Sequence, residues 1–170
     1  LPGKLGVKQW RVSDSETDAE GYGGVLALGR SPRPERPGSL QGLHNQNLLL
    51  VIDEAPEIDP RLWEAGRSLL TGANTRLLAI GNPTRKDTEF YRQFIDPDRF
   101  TAPLTVDAFS TPNLGGIDPD AENLRELLEE RASLPPVHPG LIDAMYVLDV
   151  LRGGLEGEWL PRVRGEIRTH

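Results

Sequence analysis

Hydrophobic positions along the middle of this chain alternate between short continuous runs and helical stripes. Asn47–Ile52 (NLLLVI) and residues 75–81 (TRLLAIG) are apolar runs of strand length with little polar alternation, the pattern of strands covered on both faces in a parallel sheet. Between them, Asp59-Pro60 supplies an N-cap followed by proline at the first helical position. Leu62 with Leu69 and Trp63 with Leu70 then fall on one helical face, and Gly72 closes the element. Residues 87–95 (DTEFYRQFI) pair Phe90 with Phe94 and Tyr91 with Ile95 four apart, which predicts a short amphipathic helix.

The flanks are less regular. Residues 8–13 and 23–29 read as two strands separated by an acidic polar turn, and residues 29–42 pack Pro, Gly and Arg into a long loop that neither helix nor central strand tolerates. That loop is either a surface insertion or a lid or DNA-tracking segment. Residues 100–109 resemble another strand, with Pro103 marking an edge or bulge. Asp118-Pro119 predicts the start of a helix striped by Leu124, Leu127 and Leu128, and residues 139–154 predict a last helix ended by a Gly pair. Strands alternating with helices in this order predict an α/β fold, a three-layer, mostly parallel sheet with crossover helices.

Composition trims the possibilities. The chain has 170 residues and no cysteine, so a disulfide framework and Cys-based zinc sites are excluded, and His44, His138 and His170 have no ligand spacing. No stretch approaches the roughly 20 apolar residues that span a bilayer, and no signal-peptide pattern opens the chain, so a soluble cytoplasmic protein without membrane contact is expected. An opening Leu-Pro-Gly-Lys in place of Met reads as part of something longer. A net charge of −7 argues against nucleic acid wrapping the whole surface, although 16 of the 19 basic residues are arginines suited to gripping phosphates locally.

Ligands of open parallel sheets bind beyond the carboxyl ends of the strands. Asp53 and Glu54 follow the first apolar run directly; Gly81, Asn82, Pro83 and Thr84 follow the second. An Asp there can hold Mg²⁺ through water, while a neighbouring Glu can orient and deprotonate a water that attacks a γ-phosphate. Asn82 would then bond that water or the phosphate and pass the nucleotide's state to Thr84 and the next helix. The plain alternative is a solvated strand end followed by an ordinary Gly-Asn-Pro turn. His44 precedes the first strand and is most simply structural. Trp10, Trp63 and Trp159 suit core or interface positions, and Arg11, Arg85 and Arg92 are candidate phosphate clamps or ordinary surface residues.

The order of these pieces is more specific than any one of them. Gly-x-His, then hydrophobic-DEA, an amphipathic helix, hydrophobic-GNPT, FY-x-x-F and a Ser-Thr-Pro-Asn turn, from Gly42 to Gly116, resembles the ATPase motor domain of tailed-phage terminase large subunits. The terminal GEWLPRVRGEI resembles the segment joining that motor to a nuclease domain. The resemblance implies a P-loop NTPase fragment of the RecA-like ASCE class, with ATP and Mg²⁺ as cofactors. It makes Asp53 the magnesium residue, Glu54 the catalytic carboxylate, and Asn82 and Thr84 the nucleotide-coupling residues. It implies residues 1–116 as a partial ATPase core and 117–170 as a helical subdomain and linker. The implied partners are double-stranded DNA, a portal protein, a small terminase subunit and further copies in a ring. Two departures stand out. No G-x-x-x-x-G-K-[ST] phosphate loop occurs in the chain, and Thr88 stands where the family often has Gly. The missing loop keeps two other readings open: a catalytically inactive prophage remnant acting as a DNA-binding or structural module, and another RecA-like helicase or translocase.

Overall fold

The computed structural model describes residues 4–5, 8–11, 25–40, 45–96, 98, 102–153, 157 and 159–166. His44 and the whole of the acidic turn expected between the first strands, residues 14–23, lie outside the described residues. Strand β1 (Lys4–Leu5), β2 (Gln9–Arg11) and β3 (Val25–Leu28) form an antiparallel sheet in the order β1-β2-β3. Strands are therefore present within both of the segments expected near the N-terminus, and β1 is an addition that two residues give no periodicity to predict. The Arg-Pro segment is not free of the body, since its 3₁₀ turn at Pro37–Leu40 packs against the first α-helix.

A second sheet carries the apolar runs. β4 (Asn47–Ile52) and β5 (Asn74–Ala79) pair in parallel, register Asn47↔Asn74 through Ile52↔Ala79, joined by helix α1 (Pro60–Arg67). At the entry end Asn74 Nδ2 donates to Asn47 Oδ1 at 3.1 Å. The Asp59 carboxylate accepts from Arg61 N at 2.9 Å, so the predicted cap is made, and Pro60 follows it. The helix stops at Arg67, five residues before Gly72; Leu69 is still buried, carried by the turn beyond it.

The side chains of β4 and β5 alternate between half-buried and exposed, which corrects the expectation of a sheet covered on both faces. α1 and helix α2 (Glu89–Ile95) cover one face. There Trp63, Ala55 and Phe90 pack with Ile52, Leu77, Ala79 and Phe94, and a Cβ on Gly66 would come within 3.0 Å of Leu50 Cδ2. On the opposite face Leu49, Val51, Leu78 and Ile80 are 61, 50, 47 and 48% exposed. An apolar run marks a strand that has partners on both faces, and among the described residues only one layer is supplied. In place of the expected three layers, the described residues show one helical layer on a two-stranded parallel sheet.

α2 is capped by Thr88, whose Oγ1 accepts from Tyr91 N at 3.1 Å. Thr88 thereby supplies a cap that glycine, the residue the resemblance leads one to expect there, has no side chain to make. Phe90 and Phe94 meet edge-to-face with ring centroids 5.0 Å apart, while Ile95 lies on the exposed side. Residues 102–107 form no strand among the described residues, unlike the expectation for 100–109, and lead into a 3₁₀ turn at Ala108–Ser110 capped by Asp107.

The remaining core joins that turn to α3 (Leu124–Ala132), α4 (Ala144–Arg152) and a π-helical stretch at Trp159–Arg164. Phe109, Leu114, Leu128, Val147, Leu148 and Val163 are its buried centre. α3 begins five residues after Pro119, because residues 118–123 turn first, and α4 begins at Ala144 behind an Asp143 cap. Asn113 ties the cluster together. Its side-chain amide donates to the carbonyls of His138 (2.9 Å) and Ile142 (3.1 Å), its Oδ1 accepts from His138 N at 2.8 Å, and its own carbonyl accepts from Arg131 Nε at 2.7 Å. Asn113 is 1% exposed, so Asn113→Ala leaves the part-buried backbone groups of His138 and Ile142 without this partner and is expected to cost about 2 kcal/mol. Urea denaturation of the two chains measures it through the midpoint at unchanged slope.

Candidate functional site at the strand ends

The two motifs meet because β4 and β5 end together. The ladder continues past the strands, with Ile80 N donating to Ile52 O and Ala55 N donating to Ile80 O, each at 2.9 Å. Asp53-Glu54 and Gly81-Asn82 therefore leave the sheet side by side, at the same edge. Asp53, Glu54, Gly81, Asn82 and Thr84 all line one open cleft of about 1320 Å³, bounded on its other side by residues 102–106 and 161–166.

Glu54 is held unusually. It has φ 49° and ψ 40°, the left-handed region, and among the described residues no other non-glycine residue has positive φ. Such a conformation costs on the order of 1 kcal/mol or more for a side chain of this type and persists only where surroundings enforce it. Asp53 Oδ1 accepts from Glu54 N at 3.0 Å, and Glu54 O accepts from Glu57 N at 2.9 Å in the 3₁₀ turn Ala55–Glu57. Both carboxylates are exposed to the cleft. A solvated strand end needs no such strain, so the geometry favours a placed carboxylate.

Thr84 contributes differently. Its N donates to Asn82 O at 2.8 Å, closing the turn, while its Oγ1 is enclosed without a hydrogen-bond partner among the described residues. Asn82 itself is exposed at the cleft. Two of the candidate clamps are engaged elsewhere: Arg85 forks onto Asp87 at 2.9 and 2.6 Å, and Arg92 Nη1 lies 3.4 Å from Glu89 Oε2; the side chain of Arg11 lies outside the described residues. The hydrogen bond from Arg85 holds the Asp87 carboxyl below its ordinary range and lifts the guanidinium above its own. Arg162 also lines the cleft, facing an otherwise acidic set of Asp53, Glu54, Glu57 and Glu166.

Among the described residues no group of three or more His, Cys, Asp or Glu is arranged to hold a metal ion. Asp53 has one oxygen committed to Glu54 N, so the donor set fits a largely hydrated cation such as Mg²⁺, held through one carboxylate and completed by a substrate's phosphates, and not a fully enclosed ion.

The sequence placed Asp53, Glu54, Asn82 and Thr84 at the strand ends, where they line this cleft, and gave no sign of three supports around it. The left-handed turn at Glu54 has no residue signal, because Gly or Asn would normally announce it. Buried Glu89, which accepts from Gln93 Nε2 at 2.6 Å and lies 3.3 Å from Arg67 Nη2 to link α2 to α1, reads in sequence as an ordinary helix-start acid. The Asn113 anchor was visible only as part of a turn motif.

Fold and edge together define an α/β protein whose parallel β-α-β unit presents carboxylates and a carboxamide at one end of its sheet. Over 74 residues, 44% of this chain, it is 34% identical to a protein of Enterobacteria phage P7 named as a probable terminase large subunit. That stretch spans 15% of the relative's length. No protein-family model matches the chain. No solved structure matches it either. Among the described residues no helix is long and apolar enough to cross a membrane.

Proposed function

We propose that the strand-end site is the acidic half of an ATP site in a phage DNA-packaging motor of the terminase large-subunit type. The observation that carries the reading is the stitching of the Asp53-Glu54 and Gly81-Asn82 edges into one cleft with Glu54 held in a strained, fixed conformation; the similarity to a phage terminase supplies the biological class.

Within that reading each residue has a separate task. Asp53 would hold a nucleotide-bound magnesium ion through water, and when bound that ion would supply charge neutralisation to the phosphates. Glu54 accepts a proton from the attacking water as the water's oxygen bonds to the γ-phosphorus and the bond to the β–γ bridging oxygen breaks. Asn82 donates to that water or to a γ-phosphate oxygen, and Thr84, tied to Asn82 by the 2.8 Å bond, carries its displacement toward α2. Double-stranded DNA would be the translocated substrate, with a portal protein, a small terminase subunit and a ring of further copies as partners.

The sequence contains no phosphate loop, so the cradle for the phosphates must come from another segment. The 170-residue chain by itself is expected to show no ATP hydrolysis above background in a phosphate-release assay. A protein in which a phosphate-loop segment is supplied should hydrolyse ATP. Robust turnover by the 170 residues alone contradicts the division of labour. The same missing loop favours a second reading, a non-catalytic module that binds DNA or shapes a complex. No hydrolysis by the completed protein, with DNA binding retained, would decide for it.

A further inference from the structure

We infer that Gly81 is a positioning residue: its bare backbone is the seat on which the Glu54–Pro56 turn rests, and that seat fixes where the Glu54 carboxylate points. The inference builds on the proposed role of Glu54 and assigns a task to a residue that touches neither nucleotide nor water.

The contact is unusually close. A Cβ built on Gly81 would lie 2.3 Å from Pro56 Cδ, 3.0 Å from Pro56 Cγ and 3.2 Å from Ala55 N. The first is shorter than any ordinary carbon contact by about 1 Å. Neither side has a flexible end to yield. Pro56 is a buried ring with fixed φ, and Ala55 is fully buried with its N–H committed to Ile80 O. A side chain at position 81 must therefore push the whole 55–56 step away from β5.

What moves with that step is Glu54. Its left-handed backbone is confined on one side by Asp53 Oδ1 and on the other by the Ala55–Ile80 bond. Displacing Ala55 and Pro56 removes the second restraint, and a non-glycine residue then relaxes by leaving the left-handed region. The carboxylate swings away from the position set by the sheet edge. Because Gly81 precedes Asn82, the seat also holds the carboxamide and the carboxylate at a fixed separation across the two strands. Packing alone would be satisfied by many small residues here; the close approach admits only glycine.

The test uses the whole 170-residue chain and NMR. A residue with positive φ has a short HN–Hα distance and a strong intraresidue NOE between these protons. In the native chain Glu54 shows that strong NOE. In Gly81→Ala it weakens severalfold. In the double variant Pro56→Ala/Gly81→Ala, which removes the ring atoms that the new methyl meets, it returns. A Gly81→Ala chain that fails to fold is read through the double variant: a restored folded spectrum with the Glu54 NOE supports the seat, and continued failure overturns it. An unchanged Glu54 NOE in a folded Gly81→Ala chain also overturns it. When a phosphate-loop segment completes the protein, Gly81→Ala lowers kcat with little change in KM for ATP, and the double variant recovers kcat. Loss of the NOE with an unaltered kcat leaves the seat standing and removes Glu54 from the role of base.

Discussion

Glu54→Gln, placed in a protein that also carries a phosphate loop, is expected to bind ATP normally and to turn it over about 10² times more slowly or worse. The side chain keeps its length and its place at the left-handed turn, so the change removes a proton acceptor and little else. Asp53→Asn separates the two roles. It keeps an oxygen to accept from Glu54 N and loses the charge that attracts a cation, so magnesium-dependent nucleotide affinity falls while metal-free binding does not. Stopped-flow binding of a fluorescent nucleotide, with and without Mg²⁺, and steady-state phosphate release measure the two effects apart. Equal effects of the two substitutions on binding and turnover would return the pair to an ordinary charged strand end.

Trp63→Ala is expected to destabilise the chain by about 3–5 kcal/mol, against a total stability for domains of this kind of roughly 5–15 kcal/mol. Trp63 is 1% exposed and packs with Ala55, Phe90 and the half-buried face of the sheet. Its Nε1 has no hydrogen-bond partner among the described residues, so the loss there is packing and cavity. Because one helical layer covers the sheet, few neighbours can collapse into the space. Trp63→Phe retains most of the contact and should cost less than half as much. Guanidinium denaturation followed by far-UV circular dichroism measures both; a cost below about 1 kcal/mol for Trp63→Ala would mean that α1 is not what holds the sheet face.

The seat at Gly81 and the core under Trp63 meet at Ala55. That residue is fully buried, touches the Trp63 cluster from one side and donates its N–H to Ile80 from the other. The small side chain in the Asp-Glu-Ala sequence thus has a packing reason, since any larger one would lift the turn off the sheet. Stability and site geometry are coupled here. A destabilising change beneath the sheet should loosen Glu54 before the chain unfolds globally, an order that amide exchange at Glu54 and Ala55 can follow.

Much of this was legible in the residues. Continuous apolar runs gave β4 and β5, Asp59-Pro60 gave the start of α1, and the aromatic pair four apart gave α2. The strand-end rule put Asp53, Glu54, Asn82 and Thr84 at one edge before their backbone pairing was known. The parts that were not legible share a cause. Apolar runs report that a strand wants two covered faces, not whether both covers are present, and so Leu49, Val51, Leu78 and Ile80 lie open. Residues 102–106 have strand composition but no backbone partner among the described residues, and composition cannot supply one. The left-handed Glu54 and the Gly81 seat arise from two segments pressing together across the sheet, a long-range effect that no local pattern encodes.

The proposed function puts a nucleotide-bound cation against the ends of β4 and β5. Manganese in place of magnesium makes this directly observable, because a paramagnetic ion broadens nearby amide signals. In the protein completed by a phosphate loop and loaded with a non-hydrolysable ATP analogue, Mn²⁺ should broaden the amides of Asp53, Glu54 and Asn82 first and leave those of α3 and α4 sharp, and Asp53→Asn should raise the Mn²⁺ concentration required. Broadening centred elsewhere, or sharp signals at Asp53, Glu54 and Asn82 with nucleotide bound, would contradict it.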